Sequence, residues 1–233
     1  MVIDTLLARI FAPAGAVGFA LSAQAQGWGL LYHLGWPVWM KLLAGLLALD
    51  LAIYLQHRIF HYVPLLWRFH RMHHADLDVD VTTGARFHPV EILLSLAIKF
   101  AAIVTVGAPV SAVLIFEIAL NATSMFNHSN LRLPPAIDSM LRWLVVTPDM
   151  HRVHHSIVRR ETDSNFGFNF PWWDRLFRTY RAQPDAGHEG MTIGIEQFRE
   201  PRELRIDRML TQPFRDDKRS ERCGQSQPDK RGG

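Results

Sequence analysis

Residues 38–56, VWMKLLAGLLALDLAIYLQ, form an apolar run of about 20 residues, the length of helix that crosses a bilayer, and pass without a break into His57-Arg58-Ile59-Phe60-His61. A chain built this way carries imidazoles at the end of a membrane helix. Asp50 lies well inside the run. A carboxylate facing lipid costs several kcal/mol, so Asp50 is expected to face protein. It stands seven residues before His57, on nearly the same helical face. It is therefore expected to accept a hydrogen bond from a ligand imidazole, the alternative being an Asp satisfied by a neighbouring helix.

The histidines are grouped. His70-Arg71-Met72-His73-His74 returns as His151-Arg152-Val153-His154-His155, and His57 and His61 precede both. On a helix, residues three and four apart share a face, while adjacent residues diverge by roughly 100°. Each His-x-x-His-His block therefore presents a fan that can serve two neighbouring metal ions. Imidazole is a good ligand for iron, zinc and copper. A structural zinc site needs four ligands and usually includes cysteine, yet the single Cys223 sits in the polar tail. That lone thiol also excludes an internal disulfide and an iron–sulfur cluster held by this chain alone. Soluble ferritin-like sites are rich in Glu-x-x-His, which the clusters lack. A histidine-only dimetal site at the ends of membrane helices remains.

Two further apolar segments, 90–106 and 109–126, are joined at Gly107-Ala108-Pro109 and are expected to form a tight helical hairpin. Glu117 and Asn121, four apart, should look inward. Residues 1–26 are apolar but interrupted by Pro13, Gly15 and Gly18. Ala23-Gln24-Ala25 resembles a signal-peptidase site, but Asp4 and Pro13 favour a first membrane or interfacial helix, tethered by an aromatic-rich loop at 28–39. The expected fold class is thus all-α, an integral membrane bundle of about four helices under a helical cap. The arginines that flank the histidines, Arg58, Arg68, Arg71, Arg86, Arg132, Arg142, Arg152, Arg159 and Arg160, place the motifs on the cytoplasmic side by the positive-inside rule. In a bacterium that membrane is the inner one. The net charge of +3 comes without a basic stripe interleaved with aromatics, so no nucleic-acid partner is expected. A short helix is expected at 136–146, with Thr147 or Asp149 as N-cap of the last histidine helix. Residues 1–183 read as one domain, 184–233 as a polar segment largely disordered from about 212.

The ordered motifs HRIFH, WRFHRMHH, RFHPVE, FNHSN, HRVHHS and ETDSNFGFNFPWWDRLFRTY, between about residues 49 and 180, closely resemble the fatty acid hydroxylase or sterol desaturase superfamily of membrane di-iron enzymes. The resemblance implies that His57, His61, His70, His73, His74, His151, His154 and His155 hold two non-haem irons, joined by His128. His88 matches a frequent histidine-proline with a neighbouring role. Its continuation as Val-Glu lacks the Gly-Gly of a fused b-type haem domain. His33 and His188 match no motif. Asp163, Asn165 and Asp174 match polar positions expected to fix imidazole orientation. Arg178 departs from the family, which often has Gly there. The implied function is O2-dependent hydroxylation or desaturation of a lipid C–H bond, with electrons from a ferredoxin or a b-type cytochrome and its reductase. The alternative is a zinc-bound membrane metalloprotein without redox activity, binding or hydrolytic.

Overall fold

The computed structural model describes residues 2–215, with side chains from residue 14 onward. Its described elements are helical; the only β pairing among them is an isolated bridge between Ser156 and Ile193. The long helices come first: α1 (Val2–Ala25), a single turn α2 (Leu30–His33), α3 (Val38–Tyr62), α4 (Pro64–His74), α5 (Pro89–Val106) and α6 (Val110–Asn127). By length and composition α3, α5 and α6 can cross a membrane. Beside them, α1 packs on α5 and α6 and buries Ala16, Ala20 and Ala23 against Leu49, Ile53, Ile103 and Phe116. Those alanines recur at helical spacing, and small side chains let helices approach closely in lipid. Ala23 of the signal-like triplet is thus a packing residue of the bundle.

Helix α3 runs further than its apolar stretch and carries His57 and His61 in its last two turns. It stops because Pro64 disfavours helical geometry at Val63, which is extended at φ −91°, ψ 113°. Pro64 then opens α4 at the position where its missing N–H costs nothing. The α5–α6 hairpin turns at Gly107, whose φ of 71° is left-handed. Both arms pack on α1 and α3 and stand apart from one another. Exposed Trp28, Trp36 and Trp39 surround one end of the bundle and Trp143 and Trp172 lie in the cap at the other, the two belts expected at a bilayer's interfaces.

The cap consists of α7 (Pro135–Leu141), α8 (Pro148–His154), α9 (Arg159–Thr162) and α10 (Trp172–Leu176). Helix α7 ends earlier than its sequence suggests, and Thr147 is the N-cap of α8, its Oγ accepting from Met150 N–H at 3.4 Å. The aromatic stretch 166–180 lies along α3 and corrects the reading of Asp50. Its carboxylate accepts from Asn169 Nδ2 at 2.8 Å and Trp173 Nε1 at 2.7 Å, with no imidazole partner. Seven residues return it to the face of His57 but leave it about 10 Å lower along the helix. Asp50 ties the cap to the bundle instead.

Arg178 closes α10 with a φ of 59°, a conformation that costs a residue with a Cβ about 1 kcal/mol and glycine little. Arg178→Gly is therefore expected to raise stability by up to about 1 kcal/mol, visible as a higher melting temperature with unchanged metal content. A lower melting temperature would show that the Arg178 side chain outweighs the backbone strain.

The C-terminal stretch folds back over α4 in short turns at Pro201–Leu204, Ile206–Met209 and Gln212–Phe214. Arg71 gathers it, donating to Gln212 O at 2.5 Å and Arg215 O at 2.6 Å with its guanidinium over the Phe198 ring. Gln212 is fully buried; residues 216–233, where most of the expected disordered segment falls, lie outside the described residues.

Candidate metal centre

Nine buried histidines meet where α3, α4, α6 and α8 converge, in two groups. His57, His61, His70, His74 and His154 form one, and His73, His128, His151 and His155 the other; within each group one nitrogen per ring lies within 4.8 Å of every other. The division follows from helical geometry. In each block the first and last histidines, four apart, go together, and the middle one goes to the neighbouring group. His73 and His74 therefore serve different positions, as do His154 and His155. His128 arrives from the end of α6. The groups adjoin, with His74 stacked on His155 at a centroid distance of 4.5 Å.

Six of the rings are aimed by a partner on Nδ1. His57 donates to Phe166 O (2.8 Å), His73 to Thr83 O (3.0 Å), His128 to Ser124 O (2.8 Å) and His154 to Ser164 O (2.7 Å). Carboxylates hold the other two, Glu91 on His70 at 2.6 Å and Asp163 on His61 at 3.2 Å. Since these oxygens can only accept from a neutral imidazole, each Nδ1 carries the proton and each Nε2 a lone pair. The consequence is chemical. His57 and His70 face each other Nε2 to Nε2 at 3.1 Å, and His73 and His128 do so at 3.1 Å, with no proton to share. Two lone pairs at that separation repel unless a cation lies between them. His61 Nε2, His154 Nε2 and both nitrogens of His155 are buried with no partner in the protein.

Burial also keeps five of the rings neutral, the form that ligates metal. His73, His74, His151 and His155 are pushed well below the ordinary imidazole value by desolvation, with neighbouring imidazoles adding to it. His154 falls to about 3 for the same leading reason. The donor set thus fits two transition-metal ions: neutral nitrogen ligands, oriented, dry and crowded.

The polar residues named from sequence divide. Asp163 holds His61 directly and is itself held by Arg159 at 2.6 Å. Asp174 acts one step back, accepting from the N–H groups of Phe166 and Gly167 and so fixing the loop whose carbonyl aims His57. Asn165 touches no imidazole; it donates to Met150 O and Arg181 O and ties α8 to the chain beyond α10. His88 stands outside both groups. With Pro89 after it, it is the N-cap of α5, accepting from Val90 N–H at 3.1 Å, and its ring packs on Phe69 and Phe214. His188 is also outside the groups.

Other contributors have weaker signals in sequence. Glu91 follows His88 in RFHPVE, where the histidine draws attention first. Glu91→Gln is expected to lower metal affinity at the His70 position by 10- to 100-fold, measured by competition with a chelator; unchanged affinity would leave Glu91 a packing residue. Asp76 accepts from Thr83 Oγ at 2.7 Å and pairs with Arg86, fixing the loop whose carbonyl holds His73. Gly84 lets that loop pass close by, since a Cβ there would sit 3.0 Å from His128 Nδ1.

The fatty acid hydroxylase family model matches residues 42–179, a span that includes every histidine of both groups. An ornithine lipid hydroxylase from Rhizobium tropici is 31% identical over 64% of this chain and 44% of its own length. An alkylglycerol monooxygenase from Xenopus tropicalis is 30% identical over 73% of the chain and 36% of its own length. A very-long-chain aldehyde decarbonylase from Oryza sativa subsp. japonica is 25% identical over 72% and 30%. The chain spans less than half the length of these relatives, and no solved structure matches it. With more than half its residues matched and the motif histidines brought together at its centre, the chain belongs to the fatty acid hydroxylase family.

Proposed function

We propose that the protein is a membrane-bound non-haem di-iron oxidoreductase that uses O2 and external electrons to hydroxylate or desaturate a C–H bond of a lipid. The observation that carries this reading is the Nε2-to-Nε2 facing of two imidazoles, one such pair in each histidine group, in a site made wholly of histidine. Iron held there would supply the oxidising power that no side chain has, since an unactivated C–H bond lies beyond acid–base catalysis. The five histidines around His57 would hold one ion and the four around His73 the other. Phe166 O, Thr83 O, Ser124 O, Ser164 O, Glu91 and Asp163 keep each ring in the tautomer that offers Nε2. The buried surroundings exclude water, and α3, α5 and α6 bring an apolar substrate to the site from the side.

The relatives' names, an ornithine lipid hydroxylase, an alkylglycerol monooxygenase and a very-long-chain aldehyde decarbonylase, support a lipid as substrate; the family resemblance admits fatty acyl, ether lipid, sterol or carotenoid. The electrons would come from a ferredoxin or a b-type cytochrome with its reductase, the donors that the family resemblance implies. The arginines around the motifs favour a cytoplasmic metal site, in the inner membrane if the cell is bacterial; a reporter fused at residue 108 should then be non-cytoplasmic. The central test is metal analysis of the purified chain, then O2 uptake with reductant and a lipid extract. About two irons and lipid-dependent uptake are expected. Full zinc with no uptake in iron-reconstituted protein would replace this reading by a non-redox zinc protein.

A further inference from the structure

A cavity of about 200 Å³ lies between α3, α5 and α6, with His57, His70 and Gly84 among its lining residues toward the metal centre and Lys99 and Glu117 deeper in the bundle. It occupies the gap between the two arms of the hairpin, and across that gap Lys99 Nζ meets Glu117 Oε1 at 2.5 Å. Both side chains are at least nine-tenths buried. From Glu91, which holds His70, to Lys99 is about 12 Å along α5. The walls between are mainly apolar, but one polar line runs down them. Glu91, Ser95 and Lys99 recur at four-residue spacing on α5 and face Glu117 and Asn121 on α6. Gln56 of α3 donates to Ser95 Oγ at 2.7 Å, and its Oε1 is buried with no partner in the protein.

Burying an ion pair at membrane depth costs several kcal/mol in desolvation, and a hydrophobic pair of similar volume is often as stable or more so. Joining α5 to α6 does not require it, because both arms already pack on α1 and α3. The charges also line a cavity that opens toward the metal centre. We propose that Lys99 and Glu117 bind a hydroxyl or carbonyl group of the substrate, about two turns of α5 deeper than Glu91, while a carbon further along the chain is presented at His57 and His70. The substrate is then a lipid with a polar group set within or at the end of its chain, and the pair fixes which carbon reaches the metals. This inference rests on the oxygenase reading for what happens at the metal end. A hydroxyl can accept from the Lys99 ammonium and donate to the Glu117 carboxylate, leaving neither charge without a partner; a plain hydrocarbon offers neither contact. Sites of this kind discriminate strongly against an analogue that lacks the polar group.

The test is equilibrium binding of tritiated 1-dodecanol and tritiated dodecane to the purified full chain in detergent, with protein-free micelles subtracted. The wild type is expected to bind the alcohol about tenfold more tightly than the alkane, the worth of one net hydrogen bond. Lys99→Met combined with Glu117→Leu should bring the ratio within about twofold while the melting temperature holds. Equal binding by the wild type, or a preference that survives in the double variant, overturns the proposal and leaves the pair a tie between helices. If the double variant does not fold, a series of alkanols on the wild type decides: preference over the matched alkane should peak at one chain length, and a flat series overturns the proposal. These measurements need neither O2 nor reductant. A failed oxygenase reading shows as zinc without O2 uptake, and a failed polar site shows as flat binding ratios in a protein that still consumes O2.

Discussion

Replacing His73 with alanine is expected to remove one metal ion of two and abolish lipid oxidation while the second position stays filled. His73 belongs to the group of four, so the variant keeps His128, His151 and His155 there. Three imidazoles remain, and the Thr83 carbonyl loses the ring it aimed. His154→Ala strikes the other group, which still has His57, His61, His70 and His74. Its metal content should therefore fall less, with looser binding in competition with a chelator. Activity should fall to background in both, because two ions that act as one unit do not contribute additively. The double variant should for that reason lose no further activity. Metal analysis together with O2 uptake distinguishes the cases. A His73→Ala protein that holds two ions and turns over would break the assignment of His73 and His74 to separate positions, and with it the dimetal reading.

That assignment was open to sequence reasoning because it depends only on helical angle. A His-x-x-His-His block on any helix must split its adjacent histidines, and the structure distributes both blocks that way. The failures come where angle is not enough. Asp50 shares the face of His57, but the rise of the helix places it beside Asn169 and Trp173. His88, expected only in a neighbouring role, caps α5 with Pro89 after it, and the next turn supplies Glu91, which the sequence reading did not single out, as the residue that reaches His70. The carbonyls of Thr83, Ser164 and Phe166 aim three of the rings and carry no signal in sequence, since every residue has one; only the loop path selects them. Glu117 was expected to look inward, but its pairing with Lys99 across the hairpin depends on how far the two arms stand apart.

Acid should unfold the metal-free protein over a narrow range below pH 6.5. His73, His74, His151, His154 and His155 are held neutral in the fold, His154 down to about 3, whereas in the unfolded chain each takes a proton near pH 6.5. Their folded values are lowered, so the unfolded state binds more protons as pH falls below 6.5, and stability falls with it. Each such group contributes about 1.4 kcal/mol per pH unit. Even half of the sum over the five is large against the roughly 5–15 kcal/mol that holds a domain together. The carboxylates that folding desolvates work in the opposite direction. Asp174 is raised by burial to about 6, and Asp76 and Asp163 are raised for the same leading reason. Their folded forms bind protons that the unfolded chain has lost, so they add stability as pH falls toward 4. Between pH 6 and 6.5 the histidines act nearly alone, and below that they still outnumber the carboxylates. Thermal melts from pH 8 to 5 on chelator-treated protein should be level above about 7 and then drop steeply. Metal-loaded protein should melt higher throughout and begin its decline at lower pH, because bound metal must be displaced by protons at the same nitrogens. Melting temperatures that stay level to pH 5 in the stripped protein would mean that the imidazoles are not held neutral by burial, and the cluster would lose its claim to be a preformed metal site.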